Sequence, residues 1–348
     1  MSLQGQVLRN PEAFEAAQAA VRLTPYNPVL MPYREKVEES LVCYNEGPNG
    51  PEIAVKAERD PGDGSLLAER RATMQLAEKL HNSGAPVEEH VFTPMQFGQY
   101  VVSITSYLPR SYQGETDLTS FGRGLARFHA TPLDSSLTDP LRDHLPVYDP
   151  LAVTRDTFEK LVKLEDDSNL PRLGGLVFDS ALVDKFGVLL AQAEAAVEKL
   201  EALTEEEVLL HTDITLMNAL RNAVGEACFI DLGGCSRGSR WSDLARVVFQ
   251  WPYFGRDPKM VQTLLGGYMA ETGQPLNIRQ LQLAGQIAEA RFGGTLLTRT
   301  VRMTQEGIPL NPFLLEESIN RISAIPDRSG KIRWHSEEDY IRSRMPQR

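Results

Sequence analysis

The chain has 348 residues, with 36 Lys plus Arg against 47 Asp plus Glu, giving a formal charge of −11. Apolar residues at 42% and charged residues at 24% are ordinary for a globular protein and exclude a largely disordered chain or a collagen. The acidic balance argues against a nucleic-acid partner, and three cysteines (Cys43, Cys228, Cys235) with no CxxC spacing exclude a disulfide scaffold or a zinc knuckle. At roughly 150 residues per domain, the length suits two domains or one two-lobed domain.

The opening MSLQGQVLRNPEAFEAA has no apolar core and does not read as a signal peptide. No run of 18 apolar residues suits a membrane span. The expectation is a cytoplasmic chain with free thiols. Residues 11–21 predict a short helix. The runs LVCYN (41–45) and EIAVKAE (52–58) predict two strands joined by the turn EGPNGP. LLAERRATMQLAEKL (66–80) predicts a helix, and VEEHVFTP and QYVVSITSYL predict two more strands. Beyond residue 108 helices dominate. LTSFGRGLARFHAT (118–131) sets Leu118, Phe121, Leu125 and Phe128 three and four apart. Residues 151–165 and 181–203 predict further helices, as do 241–251, 257–272, 277–304 and 312–324. Short β runs at 207–211, 219–222 and 227–231 interrupt them. The plan is α+β: a small β-rich lobe, 1–106, and a large helical lobe, 107–348.

The chemistry concentrates in HTDITLMNALRN and CFIDLGG. Asp213 is followed five residues later by Asn218, and thirteen after that by Asp231. Two β runs flanking the turn NAVGEA bring Asn218 and Asp231 to one end of a hairpin. A carboxylate with an amide oxygen is hard-oxygen ligation suited to Mg²⁺. A second carboxylate, Asp213, is available to take a proton from an attacking hydroxyl. Lys56 stands alone in an apolar strand, where burial demands an anion. Glu69, thirteen residues on, lies on the next helix and is the preferred partner over Glu58 and Glu78. Together these are the parts of kinase-type phosphoryl transfer.

The chain resembles the aminoglycoside phosphotransferase family of small-molecule kinases, which share the protein-kinase-like fold. The matching residues are His211-Thr212-Asp213 with Asn218, then Ile230-Asp231-Leu232-Gly233, then Asp243-Leu244-Ala245, and LARFHATP at 125–132. The resemblance covers roughly residues 25–300 and implies transfer of the γ-phosphoryl group of ATP, or GTP, to a hydroxyl of a small molecule. It implies Asp213 as the catalytic carboxylate, and Asn218 and Asp231 as Mg²⁺ ligands. Lys56, steadied by Glu69, meets the α- and β-phosphates, and Ser106-Tyr107-Leu108 is the hinge at adenine. His211 is structural, and Asp243 braces the catalytic loop through backbone N–H groups.

Two departures stand out. The family often has Gly between the His and the Asp, where this chain has Thr212. The segment YNPVLMPYREKVEES carries no glycine to cradle phosphates, which leaves Tyr33, Arg34 or backbone amides for that work. Two rival readings follow from other classes: a degenerate nucleotide-binding module, and a metal-dependent hydrolase using His211, Asp213 and Asp231. Trp241, Trp251, Tyr253 and Phe254 suggest core packing rather than an aromatic box for a cation. Aminoglycosides, choline-like amines and sugars are all admissible acceptors, with the acidic charge leaning towards a cationic one. No membrane partner is expected, and the oligomeric state is not written in the sequence.

Overall fold

The structure is a computed structural model. It describes residues 10–36, 40–45, 48, 51–108, 115–134, 141–173, 175–203, 206–215, 218–222, 225–250 and 258–310, with five further positions between 315 and 322. In chain order the elements begin with α1 (Pro11–Val21), β1 (Leu30–Lys36), β2 (Ser40–Asn45), β3 (Ile53–Arg59) and α2 (Ser65–Asn82). Next come β4 (His90–Phe97), β5 (Tyr100–Ser106), α3 (Glu115–His129) and α4 (Ala152–Asp166). They continue with β6 (Arg172–Leu173), β7 (Leu176–Val177), α5 (Ser180–Glu201), β8 (Val208–Leu210), β9 (Ala219–Arg221) and β10 (Ala227–Phe229). The last are β11 (Ser236–Gly238), α6 (Trp241–Ala245), α7 (Pro258–Thr272) and α8 (Ile278–Gln305). The predicted 312–324 helix lies mostly outside the described residues, as do Trp251, Tyr253, Phe254 and the side chains of Tyr33 and Arg34.

Two compact units form. The first is Met1–Pro146 with Thr215–Cys235; the second is Val147–Ile214 with Ser236–Arg348. In the first, five antiparallel strands run in the order β1-β2-β3-β5-β4. Strand alternation gives the sheet two chemically different faces. Ile53, Val55 and Ala57 of β3, with Val102 and Ile104 of β5, are buried in the core with Leu41 and Cys43. Helix α1 closes that face with Ala13, Ala16, Ala17, Ala20 and Val21, a stripe of small residues spaced three and four apart. Its start is fixed by Asn10, whose side chain accepts the Ala13 N–H at 3.1 Å, and by Pro11 in the first turn. The opposite face carries Val42, Ala54, Lys56, Glu58, Ser103 and Thr105.

The first unit runs past residue 106 for a packing reason. Phe121 and Phe128 of α3 pack on Phe229 of β10 in tilted and edge-to-face arrangements, with ring centroids 5.8 and 5.3 Å apart. Val87 bridges Phe229 in parallel, so hairpin β9–β10 joins the sheet's end of the chain. Gly124 permits this approach, since a Cβ there would lie 2.6 Å from the Ala227 Cβ.

In the second unit α4 and α5 pack on the long α8. The crossing of α4 and α8 depends on Gly294, where a Cβ would sit 2.8 Å from the Thr154 Cα. Asp179 caps α5 through the Leu182 N–H, and Asn277 caps α8 through Arg279 and Gln280. β8 pairs antiparallel with β11 and delivers the chain to His211. Glu207 forms an ion pair with Arg237 at 2.6 Å. Among the described residues no helix is long and apolar enough to cross a membrane.

Candidate active site

In the first unit the polar sheet face, α2 and the end of hairpin β9–β10 enclose a cavity of about 210 Å³. It is lined by Lys56, Glu58, Arg70, Glu88, His90, Ser103, Asn218 and Asp231, with apolar walls from Val42, Ala54 and Ile230. Strand register puts Lys56 between Val42 and Ser103 on the adjoining strands. Asn218 and Asp231 meet because the Asn218 carbonyl accepts the Ile230 N–H at 2.9 Å. Their predicted closeness at one hairpin end is thus built by the backbone. Asp231 holds a left-handed conformation, φ +63°, which turns the chain sharply into Leu232–Gly234.

The charges around Lys56 differ from the expected pair. Lys56 bonds Glu58 on its own strand at 2.9 Å, while Glu69 is 59% exposed and pairs with Arg70 at 3.0 Å. Arg70 reaches Glu58 as a two-pronged pair at 2.6 and 2.9 Å. The reason is geometric: residues two apart on a strand share a face, so Glu58 lies beside Lys56 without help from the helix. Burial pushes the Glu58 carboxyl up, but the Arg70 hydrogen bond and the charges of Lys56 and Arg70 outweigh it and hold it below its ordinary value.

Glu88 accepts the Asp231 N–H at 3.2 Å. Burial pushes its carboxyl up to about 7, with the Asp231 charge adding to the rise and Lys56 opposing it. Burial, with the Arg70 charge, lowers His90. Among the described residues both His90 ring nitrogens and the Ser103 hydroxyl are buried without a partner. Those groups line the cavity, where a polar partner would satisfy them. At the predicted hinge the Ser106 N–H donates to the Glu89 carbonyl and the Tyr107 N–H to the Glu52 carbonyl, each at 2.9 Å. Tyr107 also packs on Tyr44, with ring centroids 5.9 Å apart.

In the second unit the loop after β8 is held from several sides. Asp243, 1% exposed, accepts the His211 N–H at 2.8 Å and the Thr212 N–H at 2.9 Å. The expected bracing of the loop by Asp243 is therefore present. Buried His211 accepts the Asp213 N–H through Nδ1 at 3.3 Å. Thr212 has φ +61°, so the threonine that stands where glycine is common adopts a conformation β-branched residues rarely take. The Thr212 carbonyl accepts from Arg246 at 2.8 Å and from Arg291 at 2.9 Å. Arg246 also forms an ion pair with Asp213. Arg246 opens a wide π-type turn, Arg246–Gln250, that follows α6.

The structure thus gathers Lys56, Asn218 and Asp231 in one cavity, and places Asp213 on the braced loop of the other unit. It does not bring Glu69 to Lys56. Sequence reasoning missed Arg70, Glu88, Arg246 and Arg291. Arg246 had a signal, since it stands three residues beyond Asp243 on the same helical path and so faces the same loop. Arg291 had a weaker one, a cation set among Ala290 and Gly293 on a long helix. Glu88 in the run PVEEHVF had none.

The family model for the phosphotransferase enzyme family matches residues 39–275. No curated protein matches the chain. Among solved structures, an aminoglycoside phosphotransferase from Alicyclobacillus acidocaldarius is 16% identical, with 98% of this chain and 96% of that one covered and a TM-score of 0.54. The aminoglycoside 2′-phosphotransferase-IIIa F108L mutant, solved with GDP, is 10% identical over 89% and 95%, with a TM-score of 0.59. The microcompartment-associated aminopropanol kinase is 14% identical over 94% and 99%, with a TM-score of 0.56. At these identities the likeness establishes the fold, α+β and protein-kinase-like. With the family model covering more than half its length, this chain belongs to the phosphotransferase enzyme family, the aminoglycoside phosphotransferase-like small-molecule kinases.

Proposed function

We propose that the protein transfers the γ-phosphoryl group of ATP, or GTP, to a hydroxyl group of a small molecule. The observation that carries this reading is the convergence of Lys56, Asn218 and Asp231 on one cavity. A cation for phosphate oxygens stands there beside a carboxylate and an amide oxygen. That donor pair fits Mg²⁺, which keeps several water or phosphate ligands of its own. The orphaned His90 and Ser103 atoms fit the same polar occupant. The cavity, smaller than the roughly 300–1,000 Å³ of whole-ligand pockets, suits the phosphate end of a nucleotide.

Asn218 and Asp231 are the residues that would hold Mg²⁺, which when bound neutralises charge on the phosphate oxygens. Lys56, steadied by Glu58, binds those oxygens. The hinge amides of Ser106 and Tyr107 are already spent within the protein, so adenine is read by the carbonyls of 106–108 and by Leu108. Asp213 accepts the proton of the acceptor hydroxyl while that oxygen bonds to the γ-phosphorus and the bond to the departing diphosphate breaks. Asp243 and His211 act through the loop, holding Asp213 in place. Most of the rate comes from positioning and charge stabilisation.

A nucleotide-binding module without transfer activity is the second reading. The ion pair that engages Asp213 with Arg246 is the observation that favours it. ADP release from Mg·ATP across aminoglycosides, macrolides, amino-alcohols, sugars and hydroxy acids separates the two. Turnover with one acceptor class, abolished in Asp231→Ala, supports transfer. A melting shift with Mg·ATP and no turnover on any acceptor supports the module.

A further inference from the structure

We infer that the hydroxyl acceptor is anionic, carrying a carboxylate or phosphate group that seats between Arg246 and Arg291 beside Asp213. This rests on the phosphotransfer reading, because it takes Asp213 as the group that meets the acceptor hydroxyl.

The two guanidinium groups converge on a single neutral atom, the Thr212 carbonyl oxygen, at 2.8 and 2.9 Å. Like charges so close repel. Asp213 compensates Arg246. Arg291 meets no carboxylate among the described residues; it donates to that carbonyl and lies over the Tyr148 ring, 5.3 Å from its centroid. Asp243, whose two oxygens accept the His211 and Thr212 amides, forms no ion pair with Arg291 among the described residues. Burial, then the Arg291 charge, lowers Arg246 against the pull of Asp213.

A second, independent feature points the same way. The Tyr148 hydroxyl is buried with no partner among the described residues, in the field of Arg291, Asp243, Arg246 and Asp149. A buried hydroxyl left unpaired is costly and calls for a hydrogen-bond partner. An incoming carboxylate or phosphate supplies one. It also bridges the two guanidiniums, whose planar forks match such groups. In taking hydrogen bonds from Arg246 it competes with Asp213, which frees that carboxylate for the acceptor's proton. An ammonium-bearing acceptor would meet two fixed cations instead. The chain's overall charge of −11 acts at long range on encounter rates, whereas this pair acts at contact.

The test measures melting of the full chain at constant ionic strength, without nucleotide. The probes are D-glycerate for a carboxylate source and glucose 6-phosphate for a phosphate source, with glycerol, glucose and kanamycin as neutral and polycationic counterparts. One or both anions should raise Tm in the wild type, and whichever does so names the group. Arg291→Gln should weaken that anion's apparent Kd by about 10- to 100-fold. Arg291→Lys should restore part of it, which guards against a Gln variant that simply misfolds. No shift with either anion, an equal shift in wild type and Arg291→Gln, or a larger shift with kanamycin would overturn the proposal. Parallel Mg·ATP titration keeps the two readings apart. Arg291-dependent anion binding with no Mg·ATP binding sinks the phosphotransfer reading and the acceptor role with it, leaving only an anion site, whereas turnover confined to cationic acceptors sinks this inference alone.

Discussion

Lys56 is bound to Glu58, two residues along its own strand, at 2.9 Å, and Arg70 clamps the same carboxylate from α2. The lysine that meets phosphate is therefore oriented from within the sheet. Glu58→Gln should lower kcat/KM for ATP about ten-fold, the effect of losing one charged hydrogen bond. Glu69→Gln should change it less than about three-fold. Steady-state kinetics on both variants decides, and the reverse order would return the role to Glu69.

The same carboxylate makes stability depend on pH. Arg70 and Lys56 hold Glu58 below its ordinary value of 4.5 despite its burial. Its contribution is therefore fully present above pH 4.5 and is lost as pH falls through its lower folded-state value. Urea unfolding of wild type and Glu58→Gln should show a stability gap at pH 7 that shrinks as pH falls below 4.5. A gap unchanged with pH would remove Glu58 as its source.

Asp243 holds two backbone amides of the catalytic loop with one buried carboxylate. Asp243→Ala leaves the His211 and Thr212 N–H groups unpaired and should cost about 3 kcal/mol. It also releases Thr212 from its left-handed conformation, so turnover should fall further than Tm alone accounts for. Activity measured well below the variant's Tm separates these effects.

Gly294 should not tolerate a methyl group, because the Thr154 Cα occupies the position a Cβ would face at 2.8 Å. Gly294→Ala should destabilise the second unit by roughly 1–3 kcal/mol, the usual cost of overpacking. Gly266, with nothing within 4 Å of an added Cβ, is the matched control in a helix. Gly266→Ala should be neutral or mildly stabilising.

The order of elements was legible because hydrophobic spacing and turn chemistry agreed along most of the chain. Leu118, Phe121, Leu125 and Phe128 are all buried on α3, and the strands on either side of EGPNGP pair antiparallel, while most of that turn lies outside the described residues. The short pairs β6–β7 and β8–β11 were less readable, since two or three residues carry no period. The Asn218–Asp231 approach was legible because a hairpin fixes it locally. The Glu58 pairing was visible as an alternative but not as the outcome, because the choice depends on where Glu69 points from α2. Arg246 and Arg291 lie 33 and 79 residues from the atoms they bond near Asp213, and tertiary packing brings them there.

Phosphoryl transfer turns on Asp213. Asp213→Asn should leave the Mg·ATP melting shift near wild type while lowering kcat about 10²-fold or more, in the range of a lost general base. The measurement is single-turnover transfer from Mg·ATP to the best acceptor, with nucleotide binding followed on the same sample. Normal transfer by Asp213→Asn would contradict the account, and so would a wild type that binds Mg·ATP without ever transferring phosphate.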